Sequence, residues 1–235
     1  FFFDLSFGFS EEISLFQIND HPPIEKMFNK NYPFFTSKSK FMVEHFEKFA
    51  KNLSKKGLLN ENTNVLEIGS NDGTFLSKIS KYTNKTMGIE PSDNVHKTAE
   101  EKGINSRNCF FTYDNAKKII EINGNFDLVV AANVICHIPD LKDLFKGITE
   151  ILSDNGSFVF EEPYLMDMYK KTTYDQIYDE HIYIFSLSSI EKIANEFGLK
   201  LYHAEPQSTH GGSMRYFLSR GKGKTKDLED LIEKE

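Results

Sequence analysis

The stretch that decides the fold is residues 64–76, Asn-Val-Leu-Glu-Ile-Gly-Ser-Asn-Asp-Gly-Thr-Phe-Leu. Its apolar first half predicts a buried strand, Gly69 and Gly73 predict a tight turn, and the residues from Phe75 onward predict a helix. An acid, Glu90, follows roughly 20 residues later, at the end of a second predicted strand. This spacing is typical of a nucleoside site in an open α/β sheet, where the acid accepts hydrogen bonds from both ribose hydroxyls.

The acids around the glycine turn narrow the class of nucleoside. A dinucleotide loop carries three glycines and rests a pyrophosphate on the helix N-terminus. Here only Gly69 and Gly73 are present, and Glu67 and Asp72 place carboxylates beside the position of such a pyrophosphate. Because like charges repel, the loop suits a cationic or zwitterionic ligand and argues against an NAD-linked dehydrogenase.

Strand and helix patterns alternate along the chain and predict an α/β fold, a doubly wound Rossmann-like sheet of about seven strands with helices on both faces. The predicted strands are residues 64–68, 86–90, 105–110, 126–131, 157–161, 199–204 and 214–219. A helix is predicted to begin after Ser37 or Ser39 and to end at Gly57, with one apolar face made by Met42, Phe46, Phe49 and Leu53. The other predicted helices are a short segment near 24–29 and residues 75–81, 94–102, 115–122, 140–152 and 186–198, and a turn is predicted at 153–156. We predict an irregular segment at 1–36, a main domain at 37–220 with an insertion at 162–185, and a charged linker that begins a helix at 221–235.

Composition limits the partners. The net charge of −7 argues against a nucleic-acid partner, and no apolar run is long enough to cross a membrane. The two cysteines, Cys109 and Cys136, suit a reducing cytoplasm and form no metal-binding pair. The chain lacks an initiator Met and ends in an unfinished helical pattern, so we expect a piece of a longer protein. The sequence does not indicate an oligomeric state.

Three polar clusters follow strands at the edge where such sheets bind ligands. The first contains His137 in an Asn-Val-Ile-Cys-His-Ile-Pro loop, where a merely packed histidine is the alternative. The second contains Tyr178, Glu180 and His181, a possible general base with its partners, or else a solvated acidic loop. The third is residues 209–215, whose adjacent glycines bring backbone N–H groups near a ligand, unless they only form a tight hairpin.

The pattern Glu-x-Gly-x-x-x-Gly resembles motif I of the class I S-adenosylmethionine-dependent methyltransferases. The resemblance implies S-adenosylmethionine as the cofactor, with Glu90 on its ribose. The cofactor-binding residues that it implies are Glu67, Gly69, Ser70, Asn71, Asp72, Gly73, Glu90, Pro91 and Asn133.

The three clusters together resemble one branch of that family, the C-methyltransferases that act on a nucleotide-linked keto-sugar. The likeness covers roughly residues 15–220 and includes Tyr178 to Ser186, His210 to Arg215 and the segment 32–39. It implies that His181 removes a proton beside the sugar ketone, with Glu180 and Tyr178 next to it. It also implies that His137 and Tyr32 lie near the enolate oxygen. The residues that it assigns to the substrate are His210, Gly211, Gly212, Ser213 and Arg215.

Two features depart from that branch. Its members begin with a zinc module of paired cysteines, whereas nothing ahead of Leu15 contains a cysteine, so we expect no structural zinc. They also carry a second α/β domain after the core, and this chain stops at Glu235. An O- or N-methyltransferase of another small molecule and a non-catalytic nucleoside-binding remnant stay open as alternatives.

Overall fold

A computed structural model describes residues 5–235, so the first four residues of the predicted segment 1–36 lie outside it. The strands are β1 (Phe7–Ser10), β2 (Leu15–Ile18), β3 (Val65–Ile68), β4 (Thr86–Ile89), β5 (Ser106–Arg107), β6 (Phe126–Ala132), β7 (Leu152–Pro163), β8 (Tyr183–Ile184), β9 (Lys200–Gln207) and β10 (Ser213–Ser219). The α-helices are α1 (Ile24–Met27), α2 (Lys40–Lys55), α3 (Thr74–Ile79), α4 (Asp93–Glu101), α5 (Tyr113–Asn123), α6 (Leu141–Ile151), α7 (Leu165–Lys171), α8 (Leu187–Glu196) and α9 (Lys226–Lys234).

The large sheet confirms the predicted fold class. Within residues 5–235 it has seven strands in the order β5-β4-β3-β6-β7-β10-β9, and β10 pairs antiparallel with both of its neighbours. The pairs from β5 through β7 are all parallel. Strands β4 and β5 are added on one side of β3, and β6 and β7 on the other. Because the strand order reverses between β3 and β6, their carboxyl ends open a crevice for a ligand.

Apolar clusters cover both faces of the sheet. On one face the predicted helical stripe of α2 is confirmed, since Phe46, Phe49 and Leu53 pack with Phe75 against the strands. On the other face α5, α6 and α8 cover the sheet, with Phe145 among the buried residues. Strands buried on both faces explain the nearly continuous apolar sequence of β6.

The prediction of an irregular N-terminal segment is wrong for residues 7–18. Strands β1 and β2 form a hairpin, and β2 pairs antiparallel with β8 from the insertion at 162–185. The partner strand lies more than 150 residues away in the chain. Local sequence patterns do not show such a pairing, because each strand is short and depends on a distant one.

Two further details differ from the predicted elements, and a helix lies within 221–235, where the start of one was predicted. Strand β5 is shorter than predicted and covers only Ser106–Arg107. The predicted turn at residues 153–156 is an irregularity within β7, where the register against β6 shifts. The C-terminal helix α9 packs against β9 through the buried Leu228. No helix in the described part of the chain is both long and apolar enough to cross a membrane.

Candidate active site

A pocket of about 1320 Å³, counted out to its open mouth, lies at the carboxyl ends of β3, β4 and β6. Of the residues that the sequence assigned to the cofactor, those in its lining are Glu67, Gly69, Ser70, Asn71, Glu90, Pro91 and Asn133. Asp72 and Gly73 lie outside the lining. The predicted nucleoside edge of the sheet therefore carries an open pocket lined by most of the residues that the sequence assigned to the cofactor.

The loop after β3 needs glycine at positions 69 and 73, because of both its backbone conformation and its close contacts. Gly69 has φ of 69°, and a Cβ at this position would clash with the side chain of Val134. Gly73 has φ of 75°, and a Cβ there would lie 2.7 Å from Cγ1 of Ile104. Both positions combine left-handed backbone with crowding, so only glycine fits without strain.

Glu90 is fixed at the pocket edge by backbone donors. Its carboxylate accepts hydrogen bonds from the N–H groups of Asn71 (2.9 Å) and Ser92 (2.7 Å). Burial raises the pKa of Glu90, and these hydrogen bonds partly oppose that shift. A carboxylate offers about four lone-pair sites, so Glu90 can still accept bonds from two hydroxyls of a ligand.

Two buried acceptors at the pocket lack a protein donor. Among residues 5–235, neither Oε2 of Glu67 nor Oδ1 of Asn133 has a hydrogen-bond partner. Burial raises the pKa of Glu67 well above its usual value, and the nearby Glu90 and Asp72 add to the shift. Unpaired buried acceptors are costly, so this pair fits a ligand that brings donors and positive charge.

The carboxylate of Asp72 is bound by donors from the protein itself. Its carboxylate accepts from the Ser37 N–H (3.1 Å), the Thr74 hydroxyl (2.6 Å) and the Lys102 ammonium (3.0 Å). Burial alone would raise the pKa of Asp72, but these hydrogen bonds lower it overall. Asp72 thus connects the start of α3 to the segment that precedes α2.

Several lining residues were not expected from the sequence. Phe110, Phe111 and Thr112 follow β5 and form one wall. Phe28, Phe34, Met42 and Phe46 line the pocket from the N-terminal part of the chain. The first group had a recognisable signal, because it directly follows a strand at the ligand edge. The second group lies far from these strands in the chain, and no local sequence pattern places it at the pocket.

The predicted catalytic histidines lie side by side. The ring centroids of His137 and His181 are 5.1 Å apart. His137 Nδ1 lies 2.6 Å from the Glu180 carbonyl, and His181 Nδ1 lies 2.8 Å from the Gln176 carbonyl. Because a carbonyl only accepts, both Nδ1 atoms carry the proton and both Nε2 atoms carry the lone pair.

Tyr178 completes this group. Its hydroxyl lies 2.8 Å from His181 Nε2 and donates to that lone pair. Burial and the neighbouring His137 lower the pKa of His181 to about 3, and burial lowers that of His137. Burial raises the pKa of Tyr178. At neutral pH the group is therefore two neutral imidazoles and one neutral phenol.

Strand β8, which belongs to the three-stranded sheet β1-β2-β8 (the small sheet), positions these side chains. The Ile182 N–H donates to the Cys136 carbonyl (2.9 Å), and the Tyr183 hydroxyl donates to the Pro139 carbonyl (2.6 Å). These bonds tie the start of β8 to the loop after β6. His181 directly precedes Ile182 and is brought next to His137 as a result.

Tyr32 enters the pocket from the segment before α2. Its backbone N–H donates to Oδ1 of Asn94 (3.1 Å), and Nδ2 of Asn94 donates to its carbonyl (2.8 Å). Burial and the charge of Glu180 raise the pKa of Tyr32. Burial and Asp179 raise the pKa of Glu180 itself, which is half-buried. Tyr32 therefore keeps its proton at neutral pH.

Only His210 from the third cluster lines the pocket. Gly212 has φ of 142°, and a Cβ there would clash with Asp167. The Gly211 carbonyl accepts from Lys171 (2.7 Å), and the buried Ser213 hydroxyl donates to the Thr209 carbonyl (3.0 Å). This cluster is a packed turn between β9 and β10.

Arg215 is buried in the protein and does not line the pocket. Its side chain is 4% exposed and donates to Oε2 of Glu161 through Nη2 (2.8 Å) and Nε (3.2 Å). Its guanidinium also stacks on Phe49, 3.5 Å from the ring centroid. Burial alone would raise the pKa of Glu161, but His45 and Arg215 lower it. Arg215 thus forms a buried ion pair.

The fold and the pocket together define a nucleoside-binding α/β domain whose acceptors suit a cationic ligand. The family model described as "Methyltransferase domain" matches residues 40–204. The chain therefore belongs to the class I S-adenosylmethionine-dependent methyltransferase domains, and S-adenosylmethionine is the cofactor of that family.

Two curated relatives are C-methyltransferases. The C-methyltransferase NovU of Streptomyces niveus is 27% identical over 189 residues, which are 80% of this chain and 45% of NovU. The sterol 4-C-methyltransferase strm-1 of Caenorhabditis elegans is 27% identical over 67% of this chain and 47% of its own length. The chain thus spans less than half the length of these two relatives.

Solved structures share the fold. A putative sarcosine dimethylglycine methyltransferase from Galdieria sulphuraria superposes with a TM-score of 0.60 at 14% identity, covering 77% of this chain and 87% of that one. The magnesium protoporphyrin IX methyltransferase from Synechocystis with bound SAH gives 0.57 at 14% identity, covering 76% and 83%.

Proposed function

We propose that this chain methylates a carbon atom beside the ketone of a nucleotide-linked sugar, after a proton has been removed from that carbon. The observation that carries the proposal is the Tyr178–His181–His137 group, which lies next to a methyltransferase cofactor pocket and is neutral at pH 7. An O- or N-methyltransferase has less need of such a group, because its substrate already holds a lone pair.

The cofactor side of the site is held by residues of the glycine loop and the neighbouring strands. Glu90 accepts from the ribose hydroxyls, while Glu67 and Asn133 accept from the methionyl ammonium group. Phe110, Phe111 and Thr112 form the wall against the adenine. When bound, S-adenosylmethionine supplies a methyl group on a positively charged sulfur, which a carbanion-like carbon can attack.

Proton removal uses Tyr178 and His181 together. The Tyr178 oxygen takes the proton from carbon as its own proton passes to His181 Nε2, 2.8 Å away. The bond between His181 Nδ1–H and the Gln176 carbonyl keeps the ring in the tautomer that can accept. His181 is thus the final acceptor of the proton, and Tyr178 links it to the substrate.

The enolate oxygen is stabilised by Tyr32. His137 lines the pocket, but its proton is on Nδ1 and points to the Glu180 carbonyl, so Nε2 is not a donor. Tyr32 lines the same pocket, and its hydroxyl keeps its proton at neutral pH. One donor aimed at the developing charge typically lowers the barrier by about 3–4 kcal/mol.

The substrate class rests on the three sequence clusters and on the similarity to NovU, a C-methyltransferase. A second candidate is carbon methylation of an apolar substrate. It is favoured by the aromatic and aliphatic residues of the pocket lining and by the similarity to strm-1, a sterol 4-C-methyltransferase.

Two measurements test the proposal. Calorimetry should show that S-adenosylmethionine binds and that NAD does not. Incubation with labelled cofactor and a panel of nucleotide-linked keto-sugars and sterols should then give label on a carbon beside a ketone. Label on oxygen, nitrogen or a sterol, or no transfer at all, would replace the proposal with the corresponding alternative.

A further inference from the structure

Cys136 lies against the two catalytic imidazoles, an arrangement that the sequence did not indicate. The ligand atoms of Cys136, His137 and His181 all lie within 4.8 Å of one another. Cys136 and His137 are neighbours in the chain, but His181 is brought to them by the small sheet. The sequence prediction of no metal site considered only pairs of cysteines and missed this mixed group.

The hydrogen bonds of the histidines prepare them as ligands. Each ring donates its Nδ1–H to a backbone carbonyl, that of Glu180 for His137 and that of Gln176 for His181. Metal-binding histidines almost always donate the second ring N–H in this way, which fixes the ring and directs the other nitrogen to the ion. Both Nε2 atoms are therefore the ones that a metal would meet.

The spacing and the ligand types select the class of ion. A tetrahedral zinc ion with one sulfur and two nitrogen ligands holds these atoms roughly 3.5 Å apart, so small side-chain rotations close the group. One thiolate and two imidazoles suit zinc and related ions rather than magnesium or calcium. An ion can enter through the pocket, because His137 lines it.

We propose that Cys136, His137 and His181 bind one zinc-class metal ion through the thiolate sulfur and the two Nε2 atoms. Binding releases the thiol proton to solvent and displaces the Tyr178 hydroxyl from the lone pair of His181. Three protein ligands leave the fourth position to water, as at an open zinc site. The site itself does not depend on the proposed function. If that function holds, the ion occupies the proton acceptor and blocks it.

Cobalt(II) is the probe, because a thiolate ligand gives it a charge-transfer absorption that is independent of enzyme activity. The metal-free chain should bind one cobalt ion and show this band, and zinc should abolish the band by displacing cobalt. Cys136→Ser should remove the band and weaken zinc affinity, measured by calorimetry, by at least about tenfold. The matched control Cys109→Ser, at the other cysteine of the chain, should keep both.

One further variant and one further measurement protect the test against misfolding. His181→Gln keeps the thiol and should weaken zinc binding by at least about tenfold while a thiolate band persists at higher cobalt concentration. S-adenosylmethionine binding to Cys136→Ser reports that this variant is folded. A wild-type chain without the band, a band lost in Cys109→Ser instead, or unchanged zinc affinity in both ligand variants would overturn the proposal.

Discussion

The Tyr178 hydroxyl lies 2.8 Å from Nε2 of His181, whose Nδ1 is held 2.8 Å from the Gln176 carbonyl. His181 is 5% exposed and Tyr178 is 37% exposed. The phenol therefore stands between solvent and the buried imidazole. The side chain that donates to His181 is thus much more exposed than His181 itself.

Tyr178→Phe and His181→Ala should each lower turnover by about 10²–10⁴-fold, the usual contribution of a positioned acid or base. Cofactor affinity should hardly change, because neither residue belongs to the lining of the cofactor pocket. Steady-state rates with a methyl-acceptor substrate measure the effect on turnover. Calorimetry with S-adenosylmethionine measures the effect on cofactor affinity separately.

Tyr174→Phe is the matched control for the tyrosine variant. Tyr174 lies in the same segment and is 73% exposed, so loss of its hydroxyl should leave the rate near that of the wild type. Near-normal turnover in both Tyr178→Phe and His181→Ala would show that another group takes the proton.

Glu90→Ala should weaken S-adenosylmethionine binding by about 1–3 kcal/mol, because two ribose hydroxyls lose their acceptor. The variant also leaves the N–H groups of Asn71 and Ser92 without their present partner, so thermal unfolding must be recorded beside the dissociation constant. Glu101→Ala, an exposed acid on the neighbouring helix α4, is the control. An unchanged dissociation constant in a folded Glu90→Ala chain would contradict this placement of the ribose.

The contribution of Glu67 to the free energy of unfolding of the cofactor-free chain should fall as pH rises. Burial raises the pKa of Glu67 well above its usual value. Its stabilising contribution is therefore complete below the unfolded pKa, about 4.3, and is lost as pH rises through the folded pKa. Urea unfolding should show that Glu67→Gln gains stability relative to the wild type between about pH 5 and about pH 8. A constant difference across that range would contradict the buried, unpaired carboxyl.

Arg215→Met should destabilise the chain by about 3–5 kcal/mol, because it removes the guanidinium from Oε2 of the buried Glu161. His45 and Thr209 remain at the other oxygen, Oε1. Lys97→Met, which breaks an exposed pair with Asp93, should leave the unfolding midpoint nearly unchanged. Denaturant unfolding of the two variants gives the comparison. If Arg215 instead acts mainly on the substrate, Arg215→Met would unfold like the wild type and lose only substrate affinity.

Local patterns were sufficient for the sheet and the cofactor loop. The strand at residues 65–68, the turn with Gly69 and Gly73 and the acid Glu90 lie within a short stretch of chain, and each follows from periodicity or from backbone requirements. The helical stripe of α2 was predictable for the same reason.

Long-range pairings were not predictable. The hairpin β1–β2 pairs with β8, which is distant in the chain. Hydrogen bonds from the start of β8 to the loop after β6 then hold His181 beside His137 and Cys136. The family resemblance assigned Arg215 to the substrate, yet it is buried away from the pocket lining. It stands directly opposite Glu161 in the β7–β10 register, and no local pattern shows that two distant strands place these charges together.

The most direct test of carbon methylation uses a nucleotide-linked keto-sugar deuterated on the carbon beside the ketone, with methyl-labelled S-adenosylmethionine. The account predicts that this carbon gains the labelled methyl group and loses deuterium, and that His181→Ala prevents both. A labelled methyl group on oxygen or nitrogen, with the deuterium retained on carbon, would contradict it.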